Sequence, residues 1–109
     1  MSVAALLGFA QNAGRLATGL DAALRAVRSR RARLLVLAED ASERLGERVR
    51  EAAAAARIPL VRWGTKAGLG ALLGRRDVGV VAVCDAGFAG ALLKAAQATR
   101  ESGPEPSIK

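Results

Sequence analysis

Apolar positions at the start of the chain recur with a helical period: Val3, Leu6, Leu7 and Ala10 share one face, and Gly14 stops the repeat. This predicts a short first helix over 3–11. Leu16 and Ala17 lie extended between Gly14 and Gly19, after which Thr18 or Asp21 caps a second helix. That helix buries Leu20, Ala23, Leu24 and Val27 and turns Arg25 and Arg28 outward. Leu34-Leu35-Val36-Leu37-Ala38 is an uninterrupted apolar run of strand length, the pattern of a strand covered on both faces. A long amphipathic segment follows, started by Ser42 or Asp40 and running to about Arg57, with Leu45, Val49, Ala52, Ala53 and Ala56 inside. Pro59 marks its exit.

The second half repeats the alternation. Leu60-Val61-Arg62-Trp63 reads as a short strand, Gly64 as a turn, and Thr65 as the cap of a helix carrying Leu69, Leu72 and Leu73. After the turn Gly74-Arg75-Arg76-Asp77, the β-branched run 78–84 is the most strand-like stretch of the chain. A last helix is expected over 88–100. Strands separated by helices predict an α/β fold with a largely parallel sheet and helices on both faces. The chain has 109 residues, enough for one domain over 1–101 followed by a frayed tail over 102–109, where two Pro and one Gly fall close together. Three loops follow strand ends, at 14–21, 39–42 and 85–88, and are the places where a ligand is expected.

Composition sharpens this picture. The core must be aliphatic, since the chain has two Phe, one Trp and no Tyr. The same scarcity argues against an aromatic platform for single-stranded nucleic acid. Seventeen Lys and Arg against ten Asp and Glu leave a net charge of +7, which by itself suits a polyanionic partner and a merely solvated basic face about equally. The distribution tips the balance towards the polyanion: Arg15, Arg25, Arg28, Arg30, Arg31 and Arg33 stand against Asp21 alone before residue 39.

Catalytic chemistry finds little support. The chain has no histidine, so no His-based triad, base or metal site exists, and the lone Cys84 in an apolar run reads as a small core residue of a reducing compartment. Glu39 and Asp40 have no convergent third acid and suit a helix start better than acid-base work. Gly68-Leu69-Gly70-Ala71-Leu72-Leu73-Gly74 approximates a dinucleotide fingerprint, but its third glycine is one position late and the run sits within a helical pattern. Close helix packing accounts for it better. No catalytic residue, metal or cofactor is expected. The apolar opening is too short to span a bilayer, which places the protein in the cytoplasm away from membranes.

What remains is the turn from Asn12 to Arg28. Gly14, Arg15, Thr18 and Gly19 lead into a helix start whose free N–H groups can receive an anion, with Leu20, Asp21, Arg25 and Arg28 following on that helix. A bent or bulged RNA, and not DNA, is the expected anion.

The blocks Ala13-Gly14-Arg15-Leu16-Ala17-Thr18-Gly19, Ala23-Leu24-Arg25-Ala26-Val27-Arg28 and Leu35-Val36-Leu37-Ala38-Glu39-Asp40-Ala41-Ser42 appear in that order, followed by Thr65-Lys66-Ala67-Gly68-Leu69-Gly70 and Val81-Ala82-Val83-Cys84-Asp85-Ala86-Gly87-Phe88. Together they resemble the ribosomal protein seven-Ae and thirty-e family of kink-turn RNA binders, in particular its small bacterial YlxQ-like branch. The resemblance implies a three-layer α/β/α sandwich around a mixed four-stranded sheet. It also implies one RNA surface built from the Gly19 helix start, the Glu39-Asp40 loop and the loop after Cys84. On that surface Gly14 and Arg15 line the approach, Gly19 admits the RNA backbone, Arg25 meets phosphate, and Ala86 and Gly87 pack against an extruded nucleotide. Where kink-turn readers of this family carry an Asn-Glu pair, this chain has Asp21 and Ala22, so Asp21 can still accept from a guanine amino group and Ala22 offers no polar atom.

The expected function is therefore a non-enzymatic RNA-binding protein for structured RNA, kink-turn-like or internally looped, of ribosomal RNA or the translation apparatus. Two alternatives are a protein-interaction module on the same fold that has lost RNA reading, and the RNA-recognition partner of an RNA-modification enzyme.

Overall fold

The structure is a computed structural model that describes residues 1–102, with side chains through Ala98. Its elements alternate along the chain: α1 (Val3–Asn12), β1 (Leu16–Thr18), α2 (Leu20–Arg28), β2 (Leu34–Leu37), α3 (Glu43–Ala56), β3 (Leu60–Arg62), α4 (Lys66–Leu73), β4 (Val80–Val83) and α5 (Ala86–Ser102). Of the tail expected over 102–109, Ser102 instead closes α5, and residues 103–109 lie outside the described residues.

Every residue of β2 and β4 is buried, because the sheet is covered on both sides. Leu34 and Val36 of β2 and Val81 and Val83 of β4 face one cluster with Leu7 of α1, Leu69 of α4 and Leu92 of α5. The alternate residues Leu35, Leu37, Val80 and Ala82 face the other, with Ala23 and Ala26 of α2 and Val49 and Ala53 of α3. The two-residue period of a strand thus feeds two cores at once and makes an α/β/α sandwich. Each fully buried Leu or Val adds about 1.5–3 kcal/mol to the folding drive.

The strand order is β1-β4-β2-β3, a mixed four-stranded sheet. The largely parallel sheet expected from the alternation does not form, for a local reason. β2 and β3 are parallel, while β4 runs against both β1 and β2. Helix α4 has only eight residues and ends at Gly74 in the left-handed conformation (φ 74°). The chain then doubles back, so that the Val78 amide donates to the Lys66 carbonyl at 3.0 Å and β4 enters the sheet from the end at which β3 left it. Gly70 makes that return possible: a β-carbon there would strike the backbone carbonyl of Arg76. The helix packing expected of the 68–74 glycines is thus replaced by other roles: Gly70 admits the backbone of the returning loop, Gly74 turns left-handed to end α4, and Gly68 is exposed beside the capping Thr65.

Several finer expectations are corrected. Neither Thr18 nor Asp21 caps α2; Gly19 does, with φ 95° and ψ 164° and no side-chain bond. On α2 the buried residues are Ala23 and Ala26, with Leu20, Leu24 and Val27 only half-buried, because alanines let the helix lie close to β4. Ala56 is exposed, since α3 ends there and Arg57 turns left-handed. Cys84 is half-exposed, one residue beyond the buried part of β4. Of the two candidate caps of α3, Ser42 fills the role, its Oγ accepting from the Leu45 amide at 3.1 Å.

Candidate nucleic-acid interface

The loops gather at two opposite ends of the sheet. At the first, β1 runs out at Thr18, and the Gly19 amide donates to the Val80 carbonyl at 2.9 Å. Beside it, β2 runs out at Leu37, where the Ala38 amide donates to the Gly79 carbonyl and the Glu39 amide to the Gly64 carbonyl. Thr18, Gly19, Leu20, Asp21, Glu39 and Asp40 therefore meet at one end, with the 74–79 loop arriving between them.

Five helices begin in the described chain, and four of them close their first turn with a side chain. Ser2 accepts from the Ala5 amide, Ser42 from Leu45, Thr65 from Gly68, and Asp85 from Phe88. Helix α2 starts on Gly19, which has no side chain to offer, and the first intrahelical bond runs from the Ala23 amide to the Gly19 carbonyl. The amides of Leu20, Asp21 and Ala22 are left facing outward as donors at the positive end of the helix dipole. The conformation at Gly19 is in a region that essentially only glycine enters. Asp21, Arg25 and Arg28 follow at i, i+4 and i+7, an exposed stripe down the same helix.

Asp40 has another engagement. Its Oδ1 accepts from the Lys66 amide at 2.8 Å, so it helps Thr65 close the start of α4. Glu39 presents its backbone carbonyl to the Arg62 guanidinium at 3.1 Å.

The opposite end holds the remaining expected residues. Cys84 donates its amide to the Arg15 carbonyl at 2.7 Å, and Arg33 donates its amide to the Val83 carbonyl at 2.7 Å. Gly14, Arg15, Ala86 and Gly87 sit here, a full strand length from Gly19, so the single surface joining the Gly19 turn to the loop after Cys84 does not form. β4 runs antiparallel to β1, which puts its exit beside the entrance of β1. Asp85 also closes the start of α5, its Oδ2 accepting from the Phe88 amide at 2.8 Å, so a carboxylate occupies the place a phosphate would take next to Ala86 and Gly87.

Two groups escaped sequence reasoning. The 74–79 loop looked like a plain turn, yet it delivers Gly79 against Ala38, and a β-carbon at Gly79 would strike the Leu45 side chain. Arg57, distant in sequence from the other arginines, comes to their end of the sheet at the close of α3. Among the described residues no three His, Cys, Asp or Glu side chains converge as metal ligands, and no helix is long and apolar enough to cross a membrane.

Known proteins share this arrangement. The sequence profile of the ribosomal protein L7Ae/L30e/S12e/Gadd45 family matches residues 1–93. The chain belongs to that family. Within reach of this L7Ae/L30e/S12e/Gadd45 member is the "RNA-binding protein YlxQ" of Bacillus subtilis (strain 168), 35% identical over 88 residues that cover 81% of this chain and 88% of the relative. A solved structure of a protein with unknown function from Bacillus halodurans C superposes with a TM-score of 0.83 at 28% identity, covering 87% of this chain and 96% of that one. The mixed four-stranded sheet with its five helices is thus the architecture of a solved relative.

Proposed function

We propose that this protein binds structured RNA as a single binding domain over residues 1–101, without catalysing a reaction. The observation that carries the reading is α2, whose N-terminus alone among the five described helices lacks a side-chain cap. In this reading the orphan amides of Leu20, Asp21 and Ala22 hold a phosphate or base edge, Gly19 lets the backbone come close, and Thr18 and Glu39 border the site. Asp21 accepts from a base amino group and Arg25 neutralises a flanking phosphate. Family membership and the RNA-binding relative support the same conclusion. The finer target is a kink-turn-like or internally looped RNA, of ribosomal RNA or the translation apparatus in the cytoplasm.

Gel mobility shift at about 50 mM salt with a kink-turn, a plain RNA duplex and ribosomal RNA fragments tests the reading, because electrostatic contacts are strongest there. Binding is expected, with the bent RNAs ahead of the duplex. The double variant D21N/A22E should raise the preference for the kink-turn by about tenfold, the worth of one good base-reading pair. A wild-type protein that shifts none of these RNAs defeats the proposal and leaves a protein-interaction module.

A further inference from the structure

The end of the sheet away from Gly19 is crowded with cations. Arg15, Arg28, Arg30, Arg31, Arg33 and Arg57 are all exposed there. Two open clefts lie among them. One, of about 410 Å³, is bordered by Gly14, Arg15, Arg30, Arg31, Arg33, Cys84, Asp85 and Ala86. The other, of about 610 Å³, runs between the end of α2 and the end of α3, lined mostly by apolar residues such as Leu24, Val27 and Ile58 together with Arg28, Arg30 and Arg33, and with no carboxylate. Arg30 and Arg33 border both. The one acid present, Asp85, already has an oxygen engaged by the Phe88 amide. Among the described residues none of the six arginines has a carboxylate partner; Arg31 bonds the Ser29 hydroxyl at 3.1 Å.

The backbone carries a second, independent sign. Arg30 and Arg57 have φ of 62° and 59°, and they are the only non-glycine residues with positive φ among those described. Both follow helix ends, where glycine is the unstrained choice. Both positions carry an arginine at this end where a glycine would be unstrained.

We propose that this end is a second phosphate-binding surface, so that one RNA passes along α2 and is held at both ends of the sheet. The proposal rests on the RNA reading of the Gly19 end. Arginine suits it, since a guanidinium grips a phosphate with two parallel hydrogen bonds. An acidic protein partner fits less well, because no aromatic side chain stands among the arginines as an anchor: Phe9 lies on α1, Trp63 follows β3, and Phe88 is half-buried against the other face. The exposed stripe Arg25 and Arg28 joins the two ends. Helix α2 is roughly 14 Å long at 1.5 Å per residue, about four nucleotide rises along one strand. A short RNA therefore reaches both.

The test is a salt titration of binding, read by fluorescence anisotropy, to a labelled RNA duplex with a central kink-turn and long flanking stems. The double variant R30G/R57G removes two charges and releases the backbone strain. It is expected to keep or raise the melting temperature, to weaken binding about tenfold or more, and to lower the salt slope by about two. The triple variant R15A/R31A/R33A is expected to lower it by about three. R44A/R48A, which removes two exposed arginines from the other half of α3, controls for net charge and should leave the slope within about half a unit of wild type. If R30G/R57G and the triple variant keep the wild-type slope and affinity, or if R44A/R48A matches their loss, the second surface is overturned while wild-type binding still upholds the Gly19 end. A wild type that binds no RNA overturns both.

Discussion

The two ends of one sheet offer an anion opposite things. At the Gly19 end the attraction comes from backbone amides fixed by a turn only glycine can make. Around it the acidic Asp21, Glu39 and Asp40 alternate with the exposed Arg62, Arg75 and Arg76, so charge there is mixed and the fixed amides decide where an anion sits. At the other end the attraction comes from six arginines on flexible stems, with Asp85 as the single acid in the clefts. Rigid dipoles select a shape, whereas mobile charges select any dense run of phosphates. Specificity and affinity can thus be divided between two places about one strand length apart.

Substitutions can break that division or sharpen it. The largest effect is expected from Leu35→Ala in the shared central strand, where a cavity in the core costs about 2–5 kcal/mol. Leu35 is buried and belongs to the sheet both ends hang from, so amide exchange near Gly19 and near Cys84 should accelerate together. Faster exchange at one end alone would show that the ends are less coupled than the sheet suggests. Next comes Gly19→Ala. A β-carbon there meets nothing within 4 Å, so the cost is the backbone conformation alone, roughly 1–3 kcal/mol. RNA affinity should fall with the salt slope unchanged, since no charge is lost; a shallower slope would mean that the arginine end moved as well. The smallest effect belongs to Arg25→Ala on the exposed face of α2. Stability should stay within about 0.5 kcal/mol, and the slope should drop by about one, the signature of one phosphate contact. An unchanged slope would take Arg25 off the RNA path.

Much of the fold is legible in the chain itself. The runs of β2 and β4 announce buried strands, and Ser42, Thr65 and Gly74 stand where the helices start and stop. Strand direction is not legible, because it depends on a shortened α4 and on a chain reversal whose key residue, Gly70, looks like any small helical residue. Alanine hides burial in the same way. Ala26 is buried and Ala56 exposed although both fit a helical stripe, since the outcome turns on how near the helix lies to the sheet and where it ends. For the site, the Gly19 turn could be located from its neighbours alone, but the separation of Gly14, Arg15, Ala86 and Gly87 from it needs the antiparallel setting of β4. Arg57 joins the arginine end through tertiary packing, which leaves no local trace.

The position of β4 has a consequence for synthesis. This strand sits between β1 and β2 and is the last of the four to be made. Until residue 83 has left the ribosome, β1 has no strand to pair with, and the sheet consists at most of the β2–β3 pair. Closure must then span more than sixty residues from Thr18 to Val81, a long-range step that slows folding. Both ends borrow backbone from β4, through Val80 beside Gly19 and Cys84 beside Arg15. A nascent chain therefore presents neither surface until residues 80–84 have joined the sheet.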